Sequence, residues 1–156
     1  GTILREALAA AQILESEFQV PADVFSVTSF SELRREALDA ERSAMLHPGT
    51  KPAATHVRAC LGGREGPFIA ATDYMKIVAD QIRQWVSGRY VTLGTDGFGR
   101  SDSREALRGF FEVDRRWIVV AALKALADDG KAEMTTVTAA MKKFGIDPAK
   151  PNPLVS

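Results

Sequence analysis

The sequence predicts an α/β fold, a three-layer α/β/α arrangement around a mostly parallel sheet, on three observations. Short apolar runs at 23–28, 67–72 and 90–93 have the length and the β-branched or aromatic character of strands covered on both faces. Stretches of helical period separate them. At 156 residues the chain fits one domain, 1–156, large enough to bury about 70% of its unfolded surface.

Thr2 can cap a first helix whose apolar positions Ile3, Leu4, Ala7, Leu8, Ala11, Leu14 and Phe18 keep the 3.6-residue period. After Pro21 comes the 23–28 run. Ser29 with Glu32 has the form of a capping box for a highly charged helix to about Leu46, which His47-Pro48-Gly49 stops. Residues 51–66 show little pattern beyond a helical turn from Thr55 to Leu61. The 67–72 strand leads to Asp73, placed to cap a helix with Tyr74, Val78, Ile82, Trp85 and Val86 on one face. Beyond the 90–93 strand, a helix opened by Asp102 carries Leu107, Phe110 and Phe111. Another runs from Asp114 to about Asp129 and ends at Gly130, a last one from Thr135 to Phe144 closes at Gly145, and residues 147–156 form a Pro-rich surface tail. The first helix has no strand ahead of it, and the chain begins without an initiator methionine. A strand upstream of Gly1 in a longer protein is therefore expected, and without it a sheet edge open to self-association.

The densest cluster of special positions is the turn at 94–105. Gly97 and Gly99 flank Phe98, which lets the backbone take positive φ on both sides of an aromatic side chain expected to tuck inward. Asp102 followed by Glu105 reads as a second capping box. Strand, Gly-rich turn and helix start are the parts of a phosphate cradle. The dinucleotide pattern, however, would need a third glycine where Asp102 stands, no Gly-Lys-Ser/Thr follows, and Asp96 and Asp102 would repel a polyphosphate. Asp96, Gly97, Phe98, Gly99, Arg100, Asp102 and Arg104 are therefore read as a structural or interface loop, its charges paired with one another.

Composition narrows the function further. Twenty basic against twenty acidic side chains give no field for nucleic acid or an anionic membrane. No apolar run reaches membrane-spanning length, and protein surfaces are the expected partners. The single Cys60 cannot form an internal disulfide, so a reducing, cytoplasmic setting is the default.

Several stretches then become recognisable: DVFSVTSFSELRRE (23–36), MLHP (45–48), ATDYMK (71–76), LGTDGFGRSDSRE (93–105), FFEVD (110–114) and KFGIDPAKPNP (143–153). In this order they resemble, over essentially the whole length, the C-terminal domain of homodimeric bacterial pyruvate dehydrogenase E1 components, thiamine-diphosphate enzymes of the transketolase superfamily. The resemblance implies an intact enzyme that decarboxylates pyruvate with thiamine diphosphate and Mg²⁺ and passes the acetyl group to lipoyl-lysine on its E2 dihydrolipoyl acetyltransferase partner. It implies as partners the upstream domains and a homodimer mate, with the cofactor-activating glutamate and substrate-facing histidines in those upstream domains. The superfamily's Mg²⁺ motif, Gly-Asp-Gly with a later Asn-Asn, is not matched: Thr95-Asp96-Gly97 stands here with one asparagine, Asn152. No catalytic, cofactor-binding or metal residue is carried over, and no cofactor is expected on this chain alone.

The remaining residues read as structure. His47 sits at a helix end where a cation suits the dipole, His56 lies in a loop, and Cys60 is a buried, inert thiol without a nearby histidine. Glu32, Arg34, Arg35, Glu36, Asp39, Glu41 and Arg42 mark a solvated face or a polar contact with another domain. The leading function is a non-catalytic domain that supports the dimer and frames upstream active sites. The alternatives are a docking module for E2, through the turn around Arg100 or the tail, and a small-molecule site at the start of the Asp102 helix.

Overall fold

β1 (Phe68–Ala71) and β2 (Tyr90–Leu93) run parallel, in register from Phe68↔Tyr90 to Ala71↔Leu93, in the computed structural model of residues 1–156. Strand side chains alternate between faces. Ile69, Ala71 and Leu93 pack on one face against α1 (Thr2–Phe18), α6 (Arg115–Asp128) and α7 (Met134–Lys143). Phe68, Ala70 and Tyr90 pack on the other against α2 (Phe30–Leu46), α3 (His56–Leu61) and the 3₁₀ turn Arg83–Trp85 that follows α4 (Lys76–Asp80). α5 (Arg104–Phe110) closes a third, smaller cluster around Ile3, Phe111 and Val113. The α/β class and the covering of both faces are as expected, around a sheet of two strands.

α6 is the centre of the larger cluster because its apolar residues run almost around the helix. Val119 and Leu123 are fully buried between the sheet, α1 and α7. Its start is fixed by Asp114, whose carboxylate accepts from the backbone N–H of Arg116 at 2.9 Å and of Trp117 at 3.2 Å. At the other end Gly130 takes φ 69° and Lys131 N–H reaches back to the Leu126 carbonyl at 2.8 Å, the left-handed stop expected there. α7 ends the same way at Gly145.

Four local expectations are corrected. Residues 23–28 form no strand, because β propensity makes a ladder only where a neighbouring strand accepts it, and the sheet contains β1 and β2 alone. The segment is held instead by Arg64, which pairs with Asp23 and lies 4.8 Å above the Phe25 ring. Thr2 is the first helical residue and not the cap; its hydroxyl donates to the Asp73 carboxylate at 3.0 Å. With that carboxylate engaged, Asp73 caps nothing, and α4 begins later, at Lys76, with the Lys76 N–H received by Asp96 at 2.9 Å from across the fold. The single helix expected to Val86 breaks at Ile82 and continues as the 3₁₀ turn. There Trp85 is buried and its indole N–H donates to Glu41 at 2.8 Å.

The charged face of α2 is thus partly spent inside the domain. Besides Glu41, Glu36 receives the His56 backbone N–H at 3.1 and 3.2 Å on its two oxygens. Ser29 caps α2 with its hydroxyl on the Glu32 N–H at 3.2 Å, the first half of the expected capping box, while the Glu32 carboxylate pairs with Arg35 instead of returning to Ser29. The Thr55 hydroxyl likewise caps α3.

Candidate functional site

Both strands end on the same side, and the segments 72–76 and 94–103 leave the sheet there together. Thr95 ties them: its N–H donates to the Tyr74 carbonyl at 2.9 Å and its hydroxyl to the Asp73 carbonyl at 2.7 Å. Gly94 makes this approach possible, since a Cβ at that position would stand 2.6 Å from the Tyr74 carbonyl oxygen and 2.7 Å from the Lys76 nitrogen. Gly97 is constrained twice over. Its φ is +123°, and a Cβ would meet the Pro153 carbonyl oxygen at 2.2 Å. The Pro-rich tail is exposed along most of its length, but Pro153 is buried and seats the tail against this turn.

That seat explains why Phe98 does not tuck inward. The space beneath the turn is taken by Pro153, and Phe98 stands 76% exposed. Positive φ occurs at Gly97 and not at Gly99. The charges of the turn do not pair with one another either. Asp96 receives Lys76 N–H, Asp102 accepts from the Ser103 N–H at 2.6 Å, and the Arg100 guanidinium lies 4.1 Å above the Phe110 ring. Arg104 forms no ion pair. Backbone groups and a ring satisfy this turn, so mutual ion pairs add nothing to it. α5 starts one residue later than expected, capped by the Ser103 hydroxyl on the Ala106 N–H at 3.2 Å instead of by an Asp102–Glu105 box.

An open cleft of about 540 Å³ lies between this turn, the start of α1 and α5. Thr2, Asp73, Thr95, Arg100, Arg104 and Arg108 supply its polar lining. Behind Arg108, Glu6 is buried, a position that the apolar pattern of the first helix does not single out. Its carboxylate accepts from Arg115 Nε at 2.9 Å, from the Arg115 backbone N–H at 3.0 Å and from Arg108 at 3.4 Å. The hydrogen bond from Arg115 holds its pKa below the usual carboxylate range against the opposing effect of burial. The signal was present: Ile3, Glu6, Ala10 and Leu14 are spaced as one helix face, and a carboxylate inside such a stripe needs a partner.

The donor set does not fit a magnesium-diphosphate centre. Mg²⁺ needs several converging hard oxygens, and no three or more His, Cys, Asp or Glu side chains converge anywhere in the chain. Asp96 is engaged by α4, and the Asn152 side-chain oxygen accepts from the Leu154 N–H at 3.0 Å. His47 behaves as expected, its Nδ1 lying 2.9 Å from the Ser43 carbonyl at the end of α2. His56 and Cys60 do not. His56 is the first residue of α3, and Cys60, four residues on, shares its exposed face with Sγ 3.4 Å from His56 Nε2, because Val57 takes the buried face.

Helices on both faces of a parallel pair, with loops knitted together at the carboxyl ends of the strands, define a domain of the α/β class. The family model for the transketolase-like TK C-terminal domain matches residues 1–114, and the chain belongs to that family. It is 62% identical over 155 residues to the pyruvate dehydrogenase E1 component of Pseudomonas aeruginosa, covering 99% of this chain and 18% of that protein. It is 49% identical over 154 residues to the pyruvate dehydrogenase E1 component of Escherichia coli (strain K12), covering 98% of this chain and 17% of the relative. With the protein of that name from Mycobacterium tuberculosis the identity is 45% over 147 residues, 94% of this chain and 16% of the relative. The chain therefore spans less than a fifth of the length of these relatives.

Proposed function

We propose that this chain is the C-terminal domain of a pyruvate dehydrogenase E1 component, and that its own part in that enzyme is structural. The observation that carries the reading is 62% identity across 99% of the chain to a protein of that name, with the family match to a C-terminal domain type. In the intact enzyme thiamine diphosphate and Mg²⁺ supply the chemistry that decarboxylates pyruvate and passes the acetyl group to lipoyl-E2. This domain supports the homodimer and frames active sites built upstream. Its side chains favour that division of labour: Asp114 and Glu6 have both carboxylate oxygens engaged by backbone N–H and arginine donors, and Asp96 receives the first N–H of α4. The enzyme works in the cytoplasm.

The full-length protein should decarboxylate pyruvate only when both thiamine diphosphate and Mg²⁺ are supplied. In it, Gly97→Val should lower stability by about 1–3 kcal/mol through strain at φ +123° and collision with Pro153, with cofactor affinity held within about twofold. Differential scanning calorimetry and cofactor titration read the two effects apart. A variant with wild-type Tm that has lost thiamine diphosphate would overturn the structural reading.

A further inference from the structure

Six large apolar side chains stand together in solvent at the carboxyl end of the strands: Tyr74, Met75, Ile77, Phe98, Leu154 and Val155, none less than 54% exposed. They come from three separate segments, yet the backbones beneath them are knitted into one body. Thr95 bonds to Tyr74, Asp96 to Lys76, and Gly94 and Gly97 let the three strands of chain approach too closely for any side chain between them. A platform of aromatic, Met and aliphatic side chains on a rigid support has the composition of an interface core.

The length of the relatives points to the occupant. Thr2 donates to Asp73, the residue before Tyr74, so the amino end of α1 lies beside the platform. The domain belongs to a C-terminal type, and most of each relative's length has no counterpart here. A tethered neighbour faces this surface at an effective concentration of about millimolar, so even a modest apolar platform is enough to hold it. We propose that the platform of 74–77, 98 and 154–155 is the seat on which the preceding part of the same polypeptide docks. This rests on reading the chain as the last domain of a longer protein.

Limited proteolysis of the full-length protein at the junction before Gly1 tests it, comparing wild type with Ile77→Glu and Phe98→Glu. Met45→Glu, on α2 and 72% exposed, is the control outside the platform. If the platform holds the junction closed, both platform variants release the domain about tenfold faster, because cleavage tracks the population of the open form, while the control keeps the wild-type rate. Since neither side chain is buried within the domain, its core should survive. Retained hydrogen-exchange protection at Val119 and Leu123 verifies this. Wild-type cleavage rates in both platform variants overturn the proposal. So does a loss of dimer at unchanged cleavage, which would give the surface to a second copy, or a loss of E2 binding at unchanged cleavage, which would give it to that partner. Thiamine-dependent decarboxylation by the wild-type protein is a separate measurement, so this inference can fail while the assigned function stands.

Discussion

Glu6 shows how much one side chain can fix. It joins α1 to the last turn of α5 through Arg108 and to the start of α6 through Arg115, and so holds in place Arg108, which lines the cleft. Because its folded pKa lies below its unfolded value, its contribution is complete above the ordinary carboxylate range and is lost as the pH falls through the depressed folded value. Glu6→Gln should therefore destabilise the protein at neutral pH by about 1–3 kcal/mol, less than a fully buried pair would lose, because Arg115 is half-exposed. The loss should shrink in acid. Chemical denaturation from pH 7 to pH 3 measures both; a constant difference between the two proteins would show that the carboxylate charge is not what matters. At this scale the sequence was legible at Gly97, whose own backbone takes the positive φ expected of it, though Gly99 does not. It was not legible where the answer lay with a distant partner. Phe98 is displaced by Pro153, and Cys60 faces solvent because Val57 claims the buried side of α3.

The same division holds for whole elements. β1, β2, α6 and α7 were readable because an apolar run or a helical stripe coincides with local stops at Gly130 and Gly145. The 23–28 segment has a strand's composition, but ladder bonds need a neighbour that composition does not provide. α4 was misplaced because its first N–H is received by Asp96, twenty residues away, instead of by Asp73. α6 is the element on which the packing depends most. Leu123→Ala should cost about 2–5 kcal/mol by opening a cavity between the sheet and α1, whereas Leu8→Ala on the half-exposed side of α1 should cost no more than about 0.5 kcal/mol. Urea titrations of the two variants check the contrast.

For the molecule as a whole, layer order and class followed from alternation alone, since a parallel pair must be covered on both faces. What stayed hidden was which apolar side chains the fold leaves in solvent. The twenty acidic and twenty basic side chains cancel, and the sequence pI is about 7.0. With the platform at 74–77 and 98 uncovered, the separated domain should be least soluble near neutral pH and more soluble about two pH units to either side. Precipitation assays across that range test it, and a solubility that does not depend on pH would count against it.

The seating of Pro153 on Gly97 makes the 151–155 segment a keystone for a bend formed far earlier in the sequence. The strand-end loops therefore reach their final packing only once Pro153 is in place. Removing residues 151–155 would be felt at the carboxyl ends of β1 and β2, far away in sequence.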